Sequence, residues 1–219
     1  MMEKPTMNWA RTTTGMWRGV LFALAILPML WAGWPGVEEA RAGGATDAMK
    51  GTIDEVLRIL GDKELKKPAK AEERRRMLEK VVGERFDYAE MSRRALGAPW
   101  ANLSDKEKEE FVALFQTLLV NSYADKVETY SGEGVQYINE RSENEYAEVR
   151  TKVLTGKTEI PLDYRLLNKS SAWRVYDVVV DGVSLVNNYR GQFTKILRNG
   201  TFADLLEQLR KKSEKIKTS

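Results

Sequence analysis

The hydrophobic repeat of this chain changes twice, and that change constrains the fold more than any other feature. From Thr46 to Tyr130 the apolar residues recur at steps of three and four, from Val135 to Val180 at steps of two, and after Asn187 at three and four again. The first spacing puts side chains on one face of a helix, the second on one face of a strand. Helices, then strands joined by short turns, then helices describe an α+β domain rather than alternating βαβ units.

In the first helical stretch, Thr46–Leu60 carries Met49, Ile53, Val56, Leu57 and Leu60, and Gly61 ends it. Beyond the charged connector Lys63–Pro68, Ala69–Val82 has a narrow apolar side, and its run Glu72, Glu73, Arg74, Arg75 reads as a solvated face. Asp87 to Glu90 is a capping sequence for a short helix stopped by Gly97, and Ser104 to Glu107 is a second one. Behind it Phe111, Leu114, Phe115, Leu118, Leu119, Tyr123, Val127 and Tyr130 form a broad stripe on the longest helix, about 26 residues or roughly 39 Å.

Four strands follow. Val135–Ile138 is short. Next, Ala147, Val149, Thr151 and Val153 alternate with Tyr146, Glu148, Arg150 and Lys152, so one face of that strand is buried. Glu159–Asn168 and Trp173–Val180 complete an antiparallel meander, with Gly182 in a turn that needs positive φ. Helices Asn187–Leu197 and Thr201–Ser213 close the domain. The expected fold is a twisted four-stranded antiparallel sheet with helices on its concave face.

The chain starts with Lys4, Arg11 and Arg18 ahead of the apolar run Gly19–Trp34, and Ala40-Arg41-Ala42 supplies small residues at signal-peptidase spacing. This reads as a cleavable Sec signal over residues 1–42, followed by one domain over 43–219. About 16 apolar residues interrupted by Pro28 fall short of the roughly 20 that span a bilayer. There is no His and no Cys, which removes thiol nucleophiles, imidazole and thiolate metal sites, Ser-His-Asp chemistry and disulfides. Lys and Arg number 35 against 32 acids, and loss of residues 1–42 would remove four bases and three acids, leaving +2. Because bases and acids are interleaved, no nucleic-acid surface is expected. The Lys-rich end, Lys211 to Lys217, is either a solvated tail or a weak docking patch for an acidic partner or lipid surface.

The block WRVYDVVVDGVSLVNNYRGQF, Trp173 to Phe193, with Gly200 and a Leu-rich helix after it, resembles the MlaC family of periplasmic phospholipid-binding proteins, also called toluene-tolerance or ABC-transporter auxiliary components. FDYAEMSRRALGAPW and FVALFQTLLVNSYADKVETYSG sit where that family has its corresponding segments, so the likeness covers roughly Ile53 to Arg210. The resemblance implies an NTF2-like or cystatin-like sheet with an apolar cavity between helices and sheet. It also implies a monomeric, non-enzymatic periplasmic shuttle without cofactor. Such a shuttle carries phospholipid between an MlaA-like outer-membrane lipoprotein complex and an MlaD-like inner-membrane subunit, the MCE-domain part of an ABC transporter, and so maintains outer-membrane lipid asymmetry. A sister group in hopanoid gene clusters leaves that ligand open.

Two sets of residues are candidates to line such a cavity. One is Phe111, Phe115, Leu118, Leu119 and Tyr123 on the long helix; the other is Val149, Val153, Tyr164, Leu166, Trp173 and Val175 on the sheet. Periodicity alone favours a dry core, since apolar stripes usually are core, and the resemblance reverses that preference for the set as a whole. Arg190, with Asn187, Asn188 and Gln192 beside it, is the candidate for the head group at the mouth. Asp177 shares the parity of Trp173, Val175 and Val179, so burial of that face requires it to be paired. Two other classes stay open: an enzyme using Asp177 as base with Tyr164 or Tyr123 as oxyanion donor, and an exported lipid-free adaptor with a filled interior.

Overall fold

The period-two segment forms a sheet whose strands follow one another in space as they do in sequence. The computed structural model describes residues 44–128, 134–156 and 158–217. The expected signal at 1–42, Tyr130, Lys157, and the side chains of Val127 and of residues 214–217 lie outside the described residues. The sheet has five strands rather than four, in the order β1-β2-β3-β4-β5, all antiparallel: β1 Val135–Glu143, β2 Tyr146–Thr155, β3 Thr158–Lys169, β4 Ala172–Val180 and β5 Val183–Ser184. The fifth is only two residues long, too short to show as a period. Its turn uses Asp181 and Gly182, both at positive φ, as a tight two-residue connection demands.

Two bulges break the alternation. In β1 the register shifts between Tyr137 and Asn139, so Ile138 is extra and stands 54% exposed. That break accounts for the expected strand ending at Ile138, whereas β1 runs on to Glu143. In β4 the register jumps from Leu166↔Val175 to Arg165↔Asp177, leaving Tyr176 extra. The concave face of β4 therefore carries Trp173 and Val175 before the bulge and Val178 and Val180 after it. Asp177 and Val179 move to the other face, against their parity with Val175.

The described residues also form six α-helices. Helix α1 is Gly44–Gly61, α2 Ala71–Arg85 after a 3-10 turn, α3 Tyr88–Leu96, α4 Asp105–Glu128, α5 Leu185–Asn199 and α6 Phe202–Lys217. Their starts are capped as the sequence suggests. Asp87 accepts from the Glu90 backbone N–H, and Ser104 with Glu107 forms a reciprocal box. Thr201 with Asp204 repeats the arrangement at α6.

Buried residues fall into separate cores. The largest is built only from α3, α4, α5 and α6, where Phe111, Phe115, Tyr189 and Phe193 meet with ring centroids 5.1–6.0 Å apart. A second core lies on the concave face of the sheet: Ala45 and Met49 of α1 pack on Val149, Tyr164, Leu166 and Val175. A small third core joins α1 to α2 through Ile59, Leu60, Leu65 and Leu78.

Candidate binding site on the concave face

Strand pairing arranges the concave face in rows, and burial falls along them. Ala147, Leu166 and Val175 form one row and Val149, Tyr164 and Val178 the next, all buried. Beyond them come Tyr137, Thr151, Leu162 and Val180, then Val135, Val153 and Ile160, and apart from Thr151 these are only half-buried. One end of the face is thus closed while the other is apolar and incompletely covered. At this open end the Leu154 N–H donates to the Gly134 carbonyl at 3.0 Å.

Helix α1 closes the other end because it is tied down on both sides. Glu140 accepts from the Thr46 backbone N–H at 2.8 Å and from its hydroxyl at 2.6 Å. Arg85, at the end of α2, donates to the Thr52 hydroxyl at 2.9 Å and to the Trp173 carbonyl at 2.7 Å. Gly44 lies against the Trp173 indole, where a Cβ would come within 3.1 Å of Nε1.

The eleven residues expected around one cavity divide between the two large cores. Phe111, Phe115, Leu118 and Leu119 do not face the sheet; they pack within the helical core. The long helix carries one broad stripe, and three partner helices, not the sheet, take up this part of it. Val149, Tyr164, Leu166 and Val175 are buried in the sheet core, with Trp173 half-buried against it, and Val153 stands in the half-open row. Tyr123 alone of the α4 set packs on the sheet core, and its hydroxyl pKa is raised by burial and by nearby Tyr189 of the helical core. It marks the seam between the cores.

The mouth residues separate as well. Arg190, Asn187 and Gln192 are all exposed. Arg190 lies over α3's end: a Cβ on Gly97, which has φ +72°, would come within 3.2 Å of its Nε and Nη2. Gln192 instead lines a groove of about 380 Å³ between α4, α5 and α6, with Leu118, Phe193 and Leu205 beside it and Lys211 and Lys212 nearby. Asn188 accepts from Gln192 at 3.4 Å. No common head-group cluster forms from these side chains.

Asp177 is paired, as its burial requires, but on the other face. Its carboxylate accepts from the Ser184 hydroxyl at 2.6 Å, the Val186 backbone N–H at 3.1 Å and Arg165 Nη1 at 3.1 Å. A negative charge at the N-terminus of α5 thereby fastens that helix to the sheet. Tyr164, opposite Val178, projects to the concave face, so the Asp177–Tyr164 pair of the enzyme alternative is not assembled.

Tyr137, Leu162 and Ile53 of α1 belong to the concave face but were not among the expected cavity residues, although alternation puts Leu162 on the face of Tyr164 and Leu166. Ile53 was visible as a helical core position. Tyr137 was not, because the bulge beside it ends the alternation. Its hydroxyl oxygen is shielded from solvent and makes no hydrogen bond, and burial together with the nearby Asp54 carboxylate pushes its pKa up to about 12. Burial raises Tyr164 further still.

Comparison with known proteins agrees with this architecture. The chain is 25% identical over 122 residues to the intermembrane phospholipid transport system binding protein MlaC of Haemophilus influenzae, covering 53% of this chain and only 57% of that protein. It is 24% identical over 191 residues to the toluene tolerance protein ttg2D of Pseudomonas putida, covering 85% of each. It superposes with a TM-score of 0.71, at 24% identity, on a phospholipid-binding protein of Ralstonia solanacearum solved in complex with a phospholipid, covering 78% of this chain and 98% of that one. This establishes the α+β fold with its antiparallel sheet. A model of the MlaC protein family matches residues 50–211, well over half of the sequence, and the chain belongs to that family.

Proposed function

We propose that this protein is a periplasmic phospholipid carrier that holds acyl chains on the concave face of its sheet, in the seam between the sheet core and α4. The observation that carries this reading is the burial gradient across that face, closed under α1 and left half-buried and apolar from Tyr137 to Val180. The names of its relatives point to the same ligand class.

The physical need is large. A diacyl lipid has some thirty methylenes, and at about 0.8 kcal/mol each their exposure to water costs roughly 24 kcal/mol. A carrier must supply an apolar surface of matching extent. The 380 Å³ groove beside Gln192 sits near the lower end of the range for small-molecule sites, so it does not hold such a ligand alone. Within an Mla-type system the protein would pass lipid between an MlaA-like outer-membrane complex and an MlaD-like inner-membrane transporter subunit. Docking supplies the opening that empties a well-matched site.

The test is organic extraction and mass spectrometry of lipid bound to the mature domain, with the native mass of the intact complex. Stoichiometric phospholipid is expected, and hopanoid would redirect the ligand assignment. A protein that purifies bare and takes up no lipid from vesicles overturns the carrier reading in favour of an adaptor.

A further inference from the structure

Among the described residues, the Tyr137 hydroxyl on the concave face is a shielded polar group with nothing to bond to. Thr151 donates to the Leu162 carbonyl at 2.5 Å, and Ser142 donates to Glu140, which also holds Thr46. The Tyr137 hydroxyl is equally shielded from water and has no partner. The bulge at Ile138 sets this position: Ile138 turns outward while Tyr137, paired with Thr151, stays on the concave face at the start of its half-open part. A shielded donor with no partner among the described residues is unfavourable unless something bound there accepts from it.

We propose that Tyr137 reads the ester linkage of the bound lipid, its hydroxyl donating to a carbonyl oxygen of the glycerol ester, so that the site selects ester-linked over ether-linked chains. The inference rests on the phospholipid reading above. Three features select this acceptor. The hydroxyl is a neutral donor throughout the physiological range, because burial and Asp54 hold its pKa far above it. Apart from the Asp54 carboxylate, which makes no hydrogen bond to it, this part of the concave face is largely apolar, which suits the carbonyls that lie directly beside acyl chains and not a phosphate or head group that keeps its water. No described side chain competes for its proton.

The experiment offers delipidated mature protein an equimolar mixture of diacyl and dialkyl phosphatidylethanolamine in vesicles, with identical chains, and weighs the bound species by native mass spectrometry. Wild type is expected to favour the ester lipid about fivefold, the discrimination one neutral hydrogen bond supplies, and Tyr137→Phe to bring the ratio near one. The unfolding midpoint of delipidated Tyr137→Phe should hold or rise, since an unmet hydroxyl is removed. Equal binding of both lipids by wild type, or an ester preference that survives in Tyr137→Phe, overturns the inference and leaves the carrier reading standing. A fall in the delipidated midpoint overturns it by showing a structural role. Failure of wild type to bind either lipid overturns the carrier reading and this inference together.

Discussion

Replacing Asp177 tests whether the β4 bulge, and not strand alternation, decides how α5 is held. Asp177 is 3% exposed and accepts three hydrogen bonds, from Ser184, Val186 and Arg165. Asp177→Ala leaves the buried Val186 N–H without an acceptor, a loss of about 1–3 kcal/mol, and removes the charge-assisted bond to the Ser184 cap, about 1–2 kcal/mol more. The Arg165 side chain is 36% exposed, so its share is screened by water and adds little. The total is about 3 kcal/mol, which for a domain of this size lowers the melting midpoint by roughly 6–12 °C. Asp177→Asn keeps one acceptor oxygen and should lose about half as much. Urea unfolding of the delipidated domain measures both. Were alternation unbroken, Asp177 would sit beside Val175 in the apolar interior, and Asp177→Val would stabilise the fold. A stabilising Asp177→Val, or a loss below about 1 kcal/mol in Asp177→Ala, refutes the reasoning.

Three other changes have signs set by the geometry. Glu90 is 8% exposed, and its hydrogen bonds to Arg93 and Arg94 hold its pKa below the ordinary 4.5; its contribution is therefore complete above that value and lost as pH falls through the folded one, so Glu90→Gln should flatten the acid limb of a stability-versus-pH curve and leave an unchanged limb only if the pairing is idle. Gly97→Ala should cost about 2 kcal/mol, from its φ of +72° and the close approach of Arg190, and adding Arg190→Ala should recover only the steric part in a double-mutant cycle; strictly additive losses would show that the two do not touch. Since the chain has no Cys, paired cysteines can tether α4 near Tyr123 to β4 specifically; the tether should slow lipid loading and release between vesicles, and unchanged transfer rates would dismiss opening at this seam.

The layer order and most helix limits were legible because they rest on local chemistry. Capping residues at Asp87, Ser104 and Thr201 and the stop at Gly97 act within one turn of the chain. The site was legible only in part, because two single-residue bulges carry it. Ile138 and Tyr176 are ordinary strand residues that pair badly only once a neighbouring strand is present, and each reverses the parity of everything after it. Parity counting therefore placed Asp177 beside Val175 and lost Tyr137 altogether. The α4 stripe failed for a different reason: a periodic apolar face shows that a helix is covered, not by what. Three helices cover the Phe111-to-Leu119 portion, and Tyr123 near the end of the stripe reaches the sheet.

That division suits the carrier proposed above, which would have to survive both empty and loaded. If α4 packed fully on the sheet, admitting acyl chains between them would expose the core that holds the fold, at about 25 cal/mol for each Å² uncovered. Here Phe111, Phe115, Tyr189 and Phe193 hold α4 to α5 without any sheet residue, and Met49 covers the sheet with Tyr123 as the one α4 residue packed against that core among the described residues. The two bodies are joined by Phe86, which packs against both, by Leu185 of α5 in the sheet core, and by polar ties: Asp177 at the start of α5, the Asp87 N–H to the Val175 carbonyl, and Lys169 with Asp87 at 2.5 Å. These ties sit at the β4 edge, away from Val153 and Ile160 in the half-open rows. Lipid entering at those rows would displace contacts around Tyr123, Leu162 and Val180 and leave both large cores intact. Loading would then alter the seam by a few side-chain contacts, which is the scale of change that docking to a partner is able to drive.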